Sequence, residues 1–233
     1  MSSIGPSSSS ARAGSDTAPA RPARKGESTR AAIIEQALSI ARREGLEGLT
    51  IGALAERLEM SKSGVFAHFG SREELQLAVL KQYAARFIDV VLRPAIARPR
   101  GLPRLTALLE NWLALLAEEI EAGCILIGGA CEYDDRPGPL HDALVAIIEG
   151  WKGELLRAIR MAQDEGHLGR RADADQMVFE IYGLMLMFHQ DARLLRSSGS
   201  VERARRALAR LIEAARPRAT GARRARPAAP TVD

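Results

Sequence analysis

The chain has 233 residues, 46% of them apolar, which is enough to bury the core of one or two domains. No run reaches the ~20 consecutive apolar residues of a membrane span, and the Ser-, Ala- and Pro-rich N-terminus lacks the apolar segment that directs export, so we expect a cytoplasmic protein. The net charge of +4 arises at the ends: residues 1–28 carry four basic and two acidic side chains, residues 215–233 carry five arginines and one aspartate, and the residues between them have a net charge of −2. Both ends have little to bury, which predicts disordered tails.

The N-terminal tail ends in a basic group just before the first predicted helix. Arg21, Arg24 and Lys25 stand where an arm could follow a phosphate backbone or enter a minor groove. A tail that only increases solubility has the same composition. The sequence leaves both interpretations open.

The first predicted helix runs from Thr29 to Glu44, because apolar residues recur there on one stripe at helical spacing. Gly45 follows, and glycine readily adopts the left-handed conformation that ends a helix. We expect this helix to support the elements that come after it.

Two short helices separated by a tight turn are predicted over residues 51–70. Thr50 and Ser61 precede them as N-caps, and each cap is flanked by apolar residues at the spacing of a hydrophobic staple. The second helix begins at Lys62, only three residues after the first ends near Leu58. Helices joined so tightly cross at a steep angle, which is typical of the helix-turn-helix that places its second helix in the DNA major groove.

A long fourth helix is predicted from Arg72 to about Leu92. Ser71 and Glu74 have the spacing of a capping box, in which the Ser71 hydroxyl bonds the Glu74 amide and the Glu74 carboxylate bonds the Ser71 amide. We therefore take residues 29–93 as one DNA-binding unit.

This unit resembles the TetR (TetR/AcrR) family of transcriptional regulators, whose recognition helix typically reads Ser-Lys-Gly-Thr-Leu-Tyr-Tyr-His-Phe before a Ser-Lys-Glu-Glu-Leu helix start. The matching residues are Ser61, Lys62, His68, Phe69, Ser71, Glu73, Glu74 and Leu75. The resemblance implies an all-α fold. An N-terminal three-helix helix-turn-helix domain is joined by a long helix to a helical C-terminal domain that binds a ligand and dimerises.

The chain departs from the family pattern inside the recognition helix. Ser63 and Gly64 replace Gly and Thr, Val65 replaces Leu, and Phe66 and Ala67 replace the two tyrosines, while Arg72 replaces Lys at the next helix start. The tyrosines of the family usually bond phosphate through their hydroxyls. Neither replacement side chain can do so.

We predict DNA contacts from eight residues: Thr50, Ser61, Lys62, Ser63, Gly64, Ala67, His68 and Arg72. Lys62 is placed for a phosphate at the positive end of a helix dipole. Ser63 and Gly64 are small enough to bring the helix close to the groove, and Ala67 matches a thymine methyl.

Two of these eight residues, and three of their neighbours, have roles that the sequence assigns less directly. For His68, a phosphate contact and a structural bond at the helix end remain equally open. Arg72 lies at the electrostatically unfavourable start of a helix, which favours a phosphate role. Val65, Phe66 and Phe69 are expected to pack in the core of the small domain.

Residues 94–214 are predicted to form the helical C-terminal domain, beyond a proline-broken loop over 93–103. The expected helices span 104–122, 124–133, 139–165, 173–197 and 200–214. The segment 173–197 is apolar on nearly all sides and must therefore be covered on both. The resemblance implies that the last two helices pair with those of a second copy as a four-helix bundle.

A ligand cavity is the second use for these apolar residues. Its candidate lining is Trp112, Tyr133, Trp151, Tyr182, Met185, Phe188 and His189, which would suit a small, mainly apolar or aromatic effector. Ordinary core or dimer packing is the alternative for each of them. The family's habit of binding an effector is what favours a pocket.

Catalysis is not indicated, because the sequence has no glycine-rich phosphate loop, nucleophile elbow or metal-ligand spacing. We predict no metal and no cofactor. Cys124 and Cys131 lie too far apart on one helix for a disulfide and are expected to be buried together on one face.

The resulting hypothesis is a homodimeric repressor that binds a palindromic double-stranded DNA operator, with half-sites about 34 Å apart, and is released by an effector. A transcriptional activator of the same fold remains an alternative. So does an architectural protein that coats DNA without sequence preference.

Overall fold

The computed structural model describes residues 22–217, with side chains from residue 26 onward. This part of the chain is helical without strands, which confirms the predicted all-α class. None of its helices combines the length and the apolar character needed to cross a membrane. The α-helices, in chain order, are α1 (Pro22–Gly48), α2 (Ile51–Arg57), α3 (Lys62–Phe69), α4 (Arg72–Phe87), α5 (Arg93–Ile96), α6 (Leu102–Glu118), α7 (Ile125–Tyr133), α8 (Pro139–Asp164), α9 (Ala174–His189) and α10 (Ser200–Ala214).

Helix α1 is longer than predicted at its N-terminal end. It begins at Pro22, so residues 22–28, which we expected in a disordered arm, are helical. Proline is favourable in a first helical turn because its missing N–H has no partner there in any case. Residues 1–21 and 218–233 lie outside the described part of the chain, and most of the two predicted tails lies with them.

The helix-turn-helix has the predicted bounds and caps. The Thr50 hydroxyl accepts a hydrogen bond from the Ala53 amide at 3.1 Å, and the Ser61 hydroxyl accepts one from the Gly64 amide at 3.0 Å. Both bonds satisfy amides that a helix start would otherwise leave unpaired. The start of each helix is therefore set by a hydrogen bond between residues three apart in the sequence.

The capping box at the start of α4 forms only in part. The Ser71 hydroxyl accepts from the Glu74 amide at 3.0 Å, as predicted. The Ser71 amide, however, donates to the Phe69 carbonyl at 2.8 Å and not to the Glu74 carboxylate. The tight α3–α4 turn brings that carbonyl close, which explains why the reciprocal bond is missing.

The long fourth helix changes character before it ends. After α4 the chain makes a π-helical turn over Ile88–Leu92 and continues into α5. Pro94 cannot donate to the carbonyl four residues earlier and would crowd it, and a wider turn relieves that conflict. Asn111 of α6 donates to the Val91 carbonyl at 3.0 Å, which satisfies a backbone group in the distorted turn.

One hydrophobic core runs through both parts of the chain. It extends from Ile33 in α1 to Leu208 in α10 without a break. Helix α1 packs against α4 and also against α7, so it belongs to the helix-turn-helix and to the C-terminal part at once. The predicted DNA-binding unit, residues 29–93, therefore shares one hydrophobic core with the C-terminal part.

Gly45 interrupts α1 near its C-terminal end with a φ of 81°. We expect Gly45→Ala to lower the free energy of unfolding by about 1–2 kcal/mol or more, because L-residues are strained at positive φ. The added methyl would also collide with the Glu132 carboxylate. Thermal unfolding followed by circular dichroism measures this.

Gly150→Ala is the matched control, since Gly150 lies within helical α8 and a methyl there meets no atom within 4 Å. It should be neutral or stabilising by up to about 1 kcal/mol. Equal stability of the two variants would contradict the role given to Gly45.

Candidate nucleic-acid interface and effector region

The outer face of α3 is formed by Lys62, Ser63, Phe66 and Ala67, all of them exposed. Val65 and Phe69 are buried on the opposite face, as predicted. Phe66 was expected in the core, and this prediction is wrong, because 52% of the side chain is exposed. Val65 and Phe69 take the inward positions one turn apart, so Phe66, about 100° away from Val65 around the helix, points outward.

Several polar atoms that we predicted at the interface are already engaged within the protein. The Thr50 and Ser61 hydroxyls serve as caps, and the Ser61 oxygen also lies 3.1 Å from the Ser63 hydroxyl. Lys62 is exposed and has no ion-pair partner among residues 26–217. Of the predicted set, Lys62 is therefore the side chain most available to a phosphate.

Arg72 has a structural role that the sequence did not reveal. Its Nε donates to the Leu49 carbonyl at 2.9 Å, and its Nη2 lies 3.1 Å from the Glu47 carboxylate and bonds the Glu47 carbonyl. These contacts explain a cation at the start of α4 without DNA. A phosphate contact by Arg72 remains a prediction.

Glu47 lies at the centre of a polar cluster that joins α1 to α4 and α7. Its carboxylate accepts from the Tyr133 hydroxyl and pairs with Arg136 at 3.4 Å, in addition to Arg72. The Tyr133 hydrogen bond, followed by the two arginines, lowers the pKa of Glu47. Burial, reinforced by the Glu47 carboxylate, raises the pKa of Tyr133 to about 12. Tyr133 thus belongs to the contact between the two parts of the chain, and the structure separates it from the other predicted pocket aromatics.

Three predicted pocket residues do come together inside the C-terminal part. Trp112 packs on Trp151 with ring centroids 5.2 Å apart and on Tyr182 at 5.4 Å. Phe87, at the last turn of α4, completes this aromatic cluster at 4.8 Å from Trp151, and we had not predicted it. The Trp151 Nε1 donor is buried without a hydrogen-bond partner in the described residues. Burial raises the pKa of Tyr182 to about 12, so its hydroxyl stays neutral.

The other predicted pocket residues on α9 lie elsewhere. Met185 and Phe188 are buried in the general core, while His189 borders a cleft of about 650 Å³ between α7 and the π-helical turn Gln190–Leu194 that follows α9. Burial lowers the pKa of His189, and its Nε2 has no partner in the described residues. The aromatic cluster and this cleft are separate places.

The cysteines do not share a buried face. Cys124 is buried at the start of α7, but Cys131 is exposed beside the cleft, so the prediction is wrong for Cys131. Both thiols are free.

A second polar cluster links α1 to the C-terminal part through a fully buried carboxylate. Glu119 lies 3.2 Å from Arg42 Nη2 of α1 and accepts from the Tyr83 hydroxyl of α4 at 2.6 Å. The same hydroxyl lies 3.3 Å from Cys124 Sγ. Burial raises the pKa of Glu119 more than Tyr83 and Arg42 lower it. We had not predicted this cluster. The pattern in the sequence that could have indicated it is the seven-residue spacing of Gln76 and Tyr83, two polar residues on the buried stripe of α4.

Comparison with known proteins gives this arrangement a family. A model described as "Bacterial regulatory proteins, tetR family" matches residues 33–79, and one described as "Tetracyclin repressor-like, C-terminal domain" matches residues 101–208. The HTH-type transcriptional regulator TcmR of Streptomyces glaucescens is 28% identical over 148 residues, which span 63% of this chain and 60% of TcmR.

Solved structures agree with the fold over nearly their whole length. A TetR transcriptional regulator from Chloroflexus aurantiacus J-10-FL superimposes with a TM-score of 0.72 at 25% identity, covering 82% of this chain and 96% of that one. AibR, solved in complex with isovaleryl coenzyme A and operator DNA, gives 0.61 at 20% identity, covering 78% and 95%.

These matches define a helix-turn-helix transcriptional regulator. The chain belongs to the TetR family, whose members are transcriptional regulators and not enzymes.

The buried carboxylate gives a pH-dependent prediction. Because its pKa is raised in the folded state, Glu119 contributes stability that is complete below the ordinary value of 4.5 and is lost as the pH rises through the folded-state pKa. The difference in unfolding free energy between wild type and Glu119→Gln should therefore shift against the wild type with increasing pH. Denaturant unfolding of both proteins across this range measures the difference, and a difference that does not vary with pH would contradict the assignment.

Proposed function

We propose that the protein is a site-specific DNA-binding repressor that lays α3 in the major groove. The observation that carries this proposal is the exposed face of α3 on a doubly capped helix-turn-helix, with Lys62 at its start forming no ion pair within the described part of the chain. A positive helix end and a free ammonium suit a phosphate, and they fix the helix against the groove. The other predicted DNA residues, including His68 and Arg72, belong to this proposal as secondary contacts.

A homodimer is part of the proposal, because one short helix reads too few base pairs to select a site. The outward face of α9 and of the turn after it supports a partner of the same kind. Phe179, Leu186, Met187 and Leu194 are exposed there, with 73% of the Phe179 side chain accessible. Gly183 lies between them and leaves room for a second helix to approach closely. Helix α10 packs beside α9, so two copies related by a twofold axis would contribute two helices each to a four-helix bundle. Such a dimer predicts a palindromic operator.

Release by a small, mainly apolar or aromatic effector completes the proposal. The aromatic cluster of Phe87, Trp112, Trp151 and Tyr182 supports such a ligand, since it combines ring surfaces with the Trp151 Nε1 donor, which has no hydrogen-bond partner among the described residues. AibR, which has the same fold, was solved with an acyl coenzyme A and operator DNA together. The effector must bind the released state more tightly than the DNA-bound state, because only that difference can shift the equilibrium.

The test is selection of bound fragments from the source genome by the full-length protein at near-physiological salt, followed by sequencing. A recurring short palindrome near a promoter is the expected result. Enrichment without a motif would favour the architectural alternative, and an operator position that increases transcription would favour an activator.

Lys62 gives a quantitative prediction for the DNA contact. Lys62→Ala should weaken binding to all sequences alike and reduce the slope of log affinity against log salt by about one, because one fewer phosphate is neutralised. Fluorescence anisotropy titrations at several salt concentrations measure both effects. Lys152→Ala is the control, since Lys152 pairs with Glu149 on α8 of the C-terminal part. An unchanged salt slope in Lys62→Ala would contradict the phosphate contact.

The dimer face is tested by introducing a charge. Phe179→Glu should convert the dimer into monomers in analytical ultracentrifugation, because burying an unpaired carboxylate at an apolar interface is costly. Val145→Glu on α8 is the control, since Val145 is also exposed but lies on a different helix. A dimer that persists in Phe179→Glu would place the interface on another surface.

A further inference from the structure

We propose that Phe66 makes this regulator specific for thymine, through packing of its ring against the 5-methyl group in each operator half-site. The inference rests on the proposed function, in which α3 enters the major groove. It adds the chemistry of the base that is read.

The exposed face of α3 has few polar groups that are free to form hydrogen bonds. Ser61 is used as a cap, and the Ser63 hydroxyl already has a partner in the Ser61 oxygen. Lys62 lies at the first helical position, where a phosphate is the natural partner. In the middle of the face, few polar groups are free to bond base edges.

The same face presents a large, exposed apolar side chain. Phe66 is its largest side chain and is 52% exposed, between the small residues Ser63 and Ala67. Apart from Lys62, one turn earlier, the neighbours of the ring on this face are small. Contact with DNA would remove this phenyl surface from water, which is favourable.

The major groove of DNA offers a matching apolar group. The thymine 5-methyl is the apolar group that base edges offer there, and apolar side chains recognise it. Phe66 has no hydroxyl for a phosphate, and among the base edges that methyl is the group that its ring can pack against. Ala67, exposed beside it, extends the same apolar surface.

The experiment couples a change in the protein to the removal of one methyl from the DNA. Each thymine of the selected operator is replaced in turn by deoxyuridine, and the affinity is measured for the wild type and for Phe66→Ala. For at least one position the wild type should lose about fourfold in affinity, the value expected for one buried methyl group. Phe66→Ala should bind the thymine and deoxyuridine operators equally at that position.

Two further variants separate recognition from structure. Phe66→Leu retains an apolar contact and should keep part of the preference for thymine. Ile96→Ala is the matched control, since Ile96 has nearly the same exposure, 53%, but lies on α5, and it should leave the preference unchanged. Thermal unfolding of each variant checks that the fold is intact.

The outcomes are distinguishable. If an operator is found but no deoxyuridine position is coupled to Phe66, the inference is overturned while the proposed function stands. If Phe66→Ala weakens all operators equally, the ring supports α3 or a sugar contact and the inference also fails. Failure to recover any operator would overturn the proposed function and the inference together.

Discussion

A buried carboxylate is the constraint on which the placement of the DNA-binding helices depends. Glu119 has no access to water, and its partners come from two other elements, Arg42 of α1 and Tyr83 of α4. A buried carboxyl group that is separated from its hydrogen-bond partners is left without compensation, which is unfavourable. Helix α1 therefore cannot move away from the end of α6 without a large penalty, and the helix-turn-helix moves with α1.

The polar cluster around Glu47 adds a restraint at the other end of the contact between α1 and α4. Glu47 binds Arg72 at the first turn of α4 and Tyr133 in α7, while Tyr83 reaches Glu119 three turns further along α4. Both clusters thus combine α1, α4 and the C-terminal part. A shift of α4 along its axis would disturb both sets of charges at once, so α4 has few positions that satisfy them.

Local signals predicted the fold well, and long-range contacts explain where prediction failed. The caps Thr50, Ser61 and Ser71 are bonds over three residues, so spacing alone reveals them. Tyr133 was assigned to a pocket because nothing in the sequence indicates Glu47 as its partner, 86 residues away. Phe66 was misplaced because a two-turn helix has too few residues for periodicity to separate its faces.

The aromatic cluster suggests where an effector would act on this assembly. Its rings are in edge contact, so a ligand among them must separate Phe87 from Trp112 or Trp151. Phe87 is the last residue of α4 and directly precedes the π-helical turn, where the backbone is already distorted. At the other end of α4, Arg72 donates to the Glu47 and Leu49 carbonyls at the end of α1. In the proposed release by an effector, the 16 residues of α4, about 24 Å long, would connect a displacement at Phe87 to Arg72 at the start of α4, next to the recognition helix.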